Sequence, residues 1–148
     1  MTINFLNEFE IDKKTQAEIA DLLAICFPNS DYANRAFFKQ LPHYRLLLID
    51  NNIVIGQLGI DYRVMNLNGE LVKVFGVIDL VIHPDFQGKG LGTKLMNEFE
   101  MIANKQRKNN NEQHDSGFDL WYKGGSGHRV AEAKVRCGLA LYQLSGRV

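Results

Sequence analysis

The chain has 148 residues, 45% hydrophobic and 23% charged, the balance of one soluble globular domain large enough to bury a core. Lys plus Arg and Asp plus Glu both total 17, and this zero net charge argues against a dedicated binder of nucleic acid or anionic membrane. Apolar runs such as Leu46 to Ile49 are too short to span a bilayer, and "MTINFLNEFEIDKK" lacks the basic-then-apolar build of a secretory leader.

Taken in order, Thr2 to Phe9 alternate loosely and predict a first strand. Asp12 is placed to cap a helix in which Ile19, Leu22, Leu23 and Cys26 recur at helical spacing, with Pro28 beyond its end. Ser30 or Asp31 can cap a shorter second helix running through Phe37 and Phe38 and stopped before Pro42. "YRLLLI" reads as a buried strand, and "DNN" at Asp50 to Asn52 as a turn into "IVIGQLGIDYRVM". Asn68-Gly69 signals a tight hairpin returning through "LVKVFGVIDLVI", so three neighbouring strands form an antiparallel meander.

From Gly90 to about Lys108 the apolar positions Leu91, Leu95, Phe99 and Ile102 share one helical face, and "KQRKNNNEQHDSG" follows as a polar loop. "FDLWY" then predicts a short strand reached by a crossover, hence parallel to its neighbour. "GGSG" breaks the chain before a last helix from Arg129 to about Leu144. One mixed α/β domain over residues 1–148 results, with helices flanking a mostly antiparallel sheet. Residues 124–148 differ in composition: every asparagine falls at or before Asn111 and every isoleucine at or before Ile102. An ordinary glycine turn and helix explain this, and so does a change of reading frame or an engineered terminus.

Cys26 and Cys137 are distant and lack metal-type spacing, which suggests reduced thiols in a cytoplasmic protein. His43, His83, His114 and His128 are equally scattered, so no metal site is expected. The informative stretch is "HPDFQGKGLGTKLM", where Gly88, Gly90 and Gly92 stand at the junction of strand and helix. Glycine in a helix weakens it by roughly 1 kcal/mol per position, so bare backbone must serve a purpose there. A Walker loop needs Gly-Lys-Ser/Thr at its end, whereas Gly92 is followed by Thr93 and then Lys94. A dinucleotide fingerprint needs G-x-G-x-x-G after a first βαβ strand, and here the spacing is G-x-G-x-G after a hairpin.

The pattern Gln87, Gly90, Gly92 after a strand ending "LVIHP" resembles the R/Q-x-x-G-x-G/A signature of the GNAT superfamily of acyl-coenzyme A N-acyltransferases. Leu80, Ile82 and Pro84 fit the family's L-x-V-x-P strand with Ile for Val, and the likeness spans Val77 to about Phe99. Physically, a helix start offers unpaired N–H groups and partial positive charge to a pyrophosphate, and glycines let its oxygens approach. The resemblance implies acetyl-CoA as co-substrate, held by the backbone of Leu80, Val81 and Ile82 and by Gln87, Gly88, Lys89, Gly90, Leu91, Gly92 and Thr93. An amide near the strand end would take the negative charge that grows on the thioester oxygen. Leu80 and Ile82 equally suit the core, and Lys89 and Lys94 a solvated helix face.

Attack by an alkylamine requires loss of its proton, and Asp79 is the acidic residue on this strand. Many relatives carry Glu one position earlier, where this chain has Ile78. Alternation places neighbours on opposite faces, so Asp79 does not simply inherit that role. His83 reads as a strand-end surface residue. Tyr142, in "LYQLSGRV", partly matches the relatives' L-Y-x-x-x-G-F and is the candidate acid for the departing thiolate, against a core or helix-face role. Relatives continue into a final two-strand hairpin that this chain, ending at Val148, is expected to lack; the exposed edge would favour a homodimer.

The resemblance therefore predicts an N-acetyltransferase acting in a ternary complex on a small-molecule or peptide amine. Neither cysteine lies near the glycine loop in sequence, so no covalent cysteine intermediate is expected. The span from Gly56 to Gly92 is similar to aminoglycoside N-acetyltransferases and nodulation-type acyltransferases. The alternative is a non-catalytic acyl-CoA-binding or interaction module derived from a truncated acyltransferase.

Overall fold

The computed structural model describes residues 1–28, 35–37, 40–109 and 120–122. Five strands lie in sequential order across one sheet. The first four, β1 (Thr2–Asn7), β2 (Tyr44–Asp50), β3 (Ile53–Leu67) and β4 (Glu70–Ile82), pair antiparallel. The fifth, β5 (Leu120–Tyr122), pairs with β4 in parallel, as its crossover connection requires. Two helices, α1 (Lys13–Cys26) and α2 (Leu91–Asn109), cover opposite faces.

The meander is held by local turn chemistry. Asn51 and Asn52 (φ 48° and 62°) and then Asn68 and Gly69 (φ 53° and 93°) adopt the left-handed backbone of two-residue hairpins, whose twist matches the strands they join. Asn66 Oδ1 accepts from Gly69 N at 2.8 Å and tightens the second turn. β1 is shorter than expected because Asn7 turns the chain instead. Its side chain accepts from Phe9 N, Glu10 reaches back to Asn7 N, and a single 3-10 turn at Glu8–Glu10 follows. α2 spans Leu91–Asn109, close to the expected helix from Gly90 to about Lys108, and so takes in the first residues of the expected polar loop. The expected second helix near Ser30, the last helix, the atypical segment 124–148 and the question of a final hairpin lie outside the described residues.

Alternation along β2 builds two cores. Leu46 and Leu48 join Leu58, Ile60, Phe75 and Val77 under Leu95, Phe99 and Ala103 of α2. Leu47 turns the other way, with Val54 and Val81, against Ile19, Leu22 and Leu23 of α1. Both helices are thus pinned by their apolar stripes. Among the described residues no helix is long and apolar enough to cross a membrane.

The entry to α1 carries a titratable cap. Asp12 Oδ1 accepts from Thr15 N at 2.7 Å, and these bonds hold its carboxyl below the usual aspartate range. A lowered folded value means that the cap's stabilisation is present above the ordinary value of about 4 and is lost as pH falls through the lowered one. Asp12→Asn, which still caps but does not titrate, should flatten that part of the acid limb in thermal melts. A limb identical to wild type would show that the cap does not couple to pH.

Candidate active site

The antiparallel ladder between β3 and β4 breaks once. Gly59 pairs with Ile78, but Gln57 pairs with Val81, so Asp79 and Leu80 together oppose the single residue Leu58. This is a β-bulge, and Asp79 takes the left-handed φ of 51° that absorbs the extra residue. The bulge exchanges faces: Phe75 and Val77 pack under α2 before it, and Leu80 and Ile82 do so after it, while Val81 turns to the α1 side. The alternation used to weigh Asp79 against Ile78 breaks at Asp79, the first residue of the bulge, while Ile78 still pairs regularly with Gly59. Leu80 and Ile82 do help fill the core, as their side chains suggested.

Beneath the bulge on the α1 side lies a buried polar chain that sequence reading missed. Gln57 is fully buried, and its Nε2 donates to the Asp79 carbonyl at 3.0 Å. Its Oε1 accepts from Arg45, which is 1% exposed. Arg45 in turn donates to both carboxylate oxygens of buried Glu8, at 2.7 Å and 3.2 Å, and to the Ala36 carbonyl at 2.8 Å. The bidentate geometry is the strong form of a charged hydrogen bond. A signal existed: Arg45 and Gln57 are polar residues inside the apolar strands "YRLLLI" and "IVIGQLGI".

Past β4 the chain is tied down step by step. His83 N donates to Ile55 O at 2.8 Å, and His83 Nδ1 accepts from Asp85 N at 3.3 Å, capping a 3-10 turn at Pro84–Phe86. Gln87 Nε2 donates to Ile82 O at 2.8 Å, so one of its two amide hydrogens is spent on the strand end. Lys89 folds back, 3.1 Å from Asp85 O and 5.1 Å from the centre of the Phe86 ring. Gly88 and Gly90 have φ of 74° and 73°, and a Cβ built on either would meet nothing within 4 Å. Gly92 is equally open, its nearest neighbour being Ile82 Cγ1 at 4.0 Å. Leu91 anchors the helix start in the core, while Thr93 and Lys94 are exposed. The result is a bare, open N-terminus on a long helix, the geometry that receives anions.

Two further groups flank this frame. Asp61, buried on β3, takes Arg63 Nε at 2.6 Å and Gln40 Nε2 at 3.2 Å on Oδ2, with His43 Nδ1 at 2.7 Å from Oδ1. Tyr62 N donates to His43 Nδ1 at 3.1 Å, so that nitrogen is an acceptor, and Asp61 Oδ1 is left without a hydrogen-bond partner among the described residues. Cys26, far from the glycines in sequence, places Sγ 3.5 Å from Ile82 O, the carbonyl that Gln87 also contacts. Burial raises its pKa, so proximity does not make it a nucleophile. Tyr142 and Cys137 lie outside the described residues.

The comparisons agree with this frame. The family model of the Acetyltransferase (GNAT) domain matches residues 10–110. No curated protein sequence matches the chain significantly. Among solved structures, an aminoglycoside acetyltransferase from an uncultured soil metagenomic sample, in complex with sisomicin, superposes with a TM-score of 0.57 at 16% identity, covering 84% of this chain and 78% of that one. A ribosomal-protein-alanine N-acetyltransferase from Brucella melitensis biovar Abortus 2308 gives 0.56 at 15% identity, covering 85% and 82%. A GNAT family acetyltransferase from Brucella melitensis, in complex with acetyl-CoA, gives 0.52 at 19% identity, covering 84% and 79%. At such identities the likeness is one of fold. The family match spans most of the chain and contains the bulge, the glycine turn and α2, so this protein belongs to the GNAT acetyltransferase family.

Proposed function

We propose that the chain transfers an acetyl group from acetyl-CoA to a primary amine by direct attack within a ternary complex. The observation that carries this reading is the left-handed pair Gly88 and Gly90 opening α2 immediately after the bulged strand. The open positions where Cβ atoms would stand fit a ligand whose oxygens must reach backbone amides. The first-turn N–H groups of α2 have no intrahelical partners and carry the positive end of a 19-residue helix. They, with the remaining Gln87 amide hydrogen, would bind the pyrophosphate, and the β4 backbone from Leu80 to Ile82 would align the pantetheine arm.

The acceptor side is built from side chains. An alkylamine arrives mostly protonated, so a base or a water path must take its proton before attack. The carboxylate of Asp79 at the bulge and the pair made by Asp61 of β3 with His43, the residue before β2, are the candidates among the described residues. The departing thiolate, with an intrinsic pKa of about 8.5, needs only modest help, which we assign to Tyr142. The acceptor is a small molecule or a peptide with a free amine. Two structural neighbours, one in complex with sisomicin and one named a ribosomal-protein-alanine N-acetyltransferase, support keeping both kinds of acceptor in the proposal.

Calorimetric titration of acetyl-CoA, joined to thiol release over an amine panel including sisomicin and an alanine-starting peptide, tests the proposal. Saturable binding with release on at least one amine is expected. Absence of acetyl-CoA binding would overturn the reading, and binding without release on any amine would favour the acyl-CoA-binding module.

A second measurement isolates the glycine turn. Gly92 has ordinary φ and open space around its Cβ position, so Gly92→Val should fold with little change in melting temperature. Its side chain would stand between phosphate and amide, and acetyl-CoA affinity should fall about tenfold or more, roughly 1.4 kcal/mol. Unchanged affinity would remove this turn from the donor site.

A further inference from the structure

We infer that Gln57, held by Arg45 and Glu8, is a positioning residue for the Leu80 amide, which it aims at the thioester oxygen of the acetyl donor. The inference rests on the acetyl-CoA reading above and goes beyond it by assigning a role to a buried chain that touches neither substrate.

Each bond in this chain has only one possible direction. A guanidinium can only donate, so the Gln57 atom facing Arg45 is its oxygen, and the amide nitrogen must face the Asp79 carbonyl. Glu8 accepts from two Arg45 nitrogens and fixes the plane of the guanidinium. The Asp79 carbonyl and the Leu80 N–H belong to one peptide unit, and no peptide bond among the described residues is cis. In a planar trans unit these two groups point in opposite directions. With the carbonyl drawn 3.0 Å from Gln57 on the α1 side, the Leu80 N–H points away from Gln57, out of that core.

Two features show why such a tether is required. Asp79 and Leu80 oppose one β3 residue, so the regular ladder does not set the orientation of the peptide between them. Asp79 is a non-glycine residue at φ 51°, a conformation that persists only when its surroundings impose it. Gln57 is 0% exposed, so water does not replace its bond if that bond is lost. A transition-state donor must be aimed before charge develops, because reorienting a dipole during reaction forfeits its benefit. Loosening this peptide should therefore weaken catalysis while leaving the pyrophosphate contacts at α2 in place.

The test uses the full chain and [1-13C]acetyl-CoA. Infrared difference spectra of the bound thioester should show its carbonyl stretch moved to lower frequency in wild type. Gln57→Glu keeps the side-chain shape and a partner for Arg45 but removes the donor, since a carboxylate beside a guanidinium stays ionised. Gln57→Leu removes the bond without adding charge. Both variants should lose most of the carbonyl shift and lower kcat for acetyl transfer about tenfold to a hundredfold. Calorimetric Kd for acetyl-CoA should stay within about twofold of wild type. Ile19→Ala, which destabilises the α1 core elsewhere, should keep the shift and separates positioning from general loosening. Folded Gln57 variants that bind donor and keep the full shift would overturn the inference while leaving the donor site standing. A wild type that does not bind acetyl-CoA would overturn both.

Discussion

Arg45 is the one buried cation among the described residues, and the geometry of the candidate site depends on how it is satisfied. Stability alone does not account for it. A buried ion pair is often matched or exceeded by well-packed apolar residues, although removing one partner costs roughly 3–5 kcal/mol. Leu46, Leu47 and Leu48 follow Arg45 on β2, all buried, and a further apolar side chain would suit that core. What distinguishes the position is its reach. Arg45 joins the turn after β1, through Glu8, to Gln57 on β3 and so to the irregular peptide on β4. Three strands must assemble in register before that peptide is held.

The bulge and the glycine turn act as one device. By shifting alternation the bulge sends Leu80 and Ile82 under α2, and Leu91 packs into the same core from the helix start. The Ile82 carbonyl takes Gln87 from the loop and Cys26 from the end of α1, so the strand end, the loop and α1 meet at one atom. Backbone that departs from regular geometry at Asp79, Gly88 and Gly90 is thereby fixed by packed neighbours on either side. Rigid surroundings allow irregular backbone to present amides at defined positions, which suits a ligand recognised largely through main-chain groups.

Most of the fold was legible because its signals are local. Asn68-Gly69, the Asp12 cap, the stripe Leu95–Phe99 and the crossover to β5 each depend on a few adjacent residues. The glycine turn was legible for the same reason. The bulge was not, since nothing in "GVIDLVI" distinguishes a regular strand from one carrying an extra residue; that depends on what β3 places opposite. The roles first given to Gln87 and Lys89 were refined likewise. Both were free to meet phosphate in sequence, but the fold offers Gln87 the Ile82 carbonyl, and Lys89 the Asp85 carbonyl and the Phe86 ring. Cys26 reverses the lesson, distant along the chain yet beside the strand end in space.

Donor and acceptor recognition therefore differ in kind. Main-chain amides at a helix start can be presented by many sequences, provided that glycines keep the approach open and an apolar stripe seats the helix. On the proposed reading, that is how a short pattern can mark a donor side although identity to proteins of the same fold is only 15–19% in the structures compared. The acceptor side has no such economy. Asp61, Arg63 and His43 come together from β3 and from the residue preceding β2, and their meaning depends on side-chain contacts across strands. If the donor is held through the backbone as proposed, these side chains would be free to change with the amine. On the positioning role inferred for Gln57, one constraint would bind both halves: the peptide between Asp79 and Leu80 would have to face the reacting carbonyl whichever amine arrives. Its tether is buried and charged at its far end, so the same three strands that build the sheet also set that peptide.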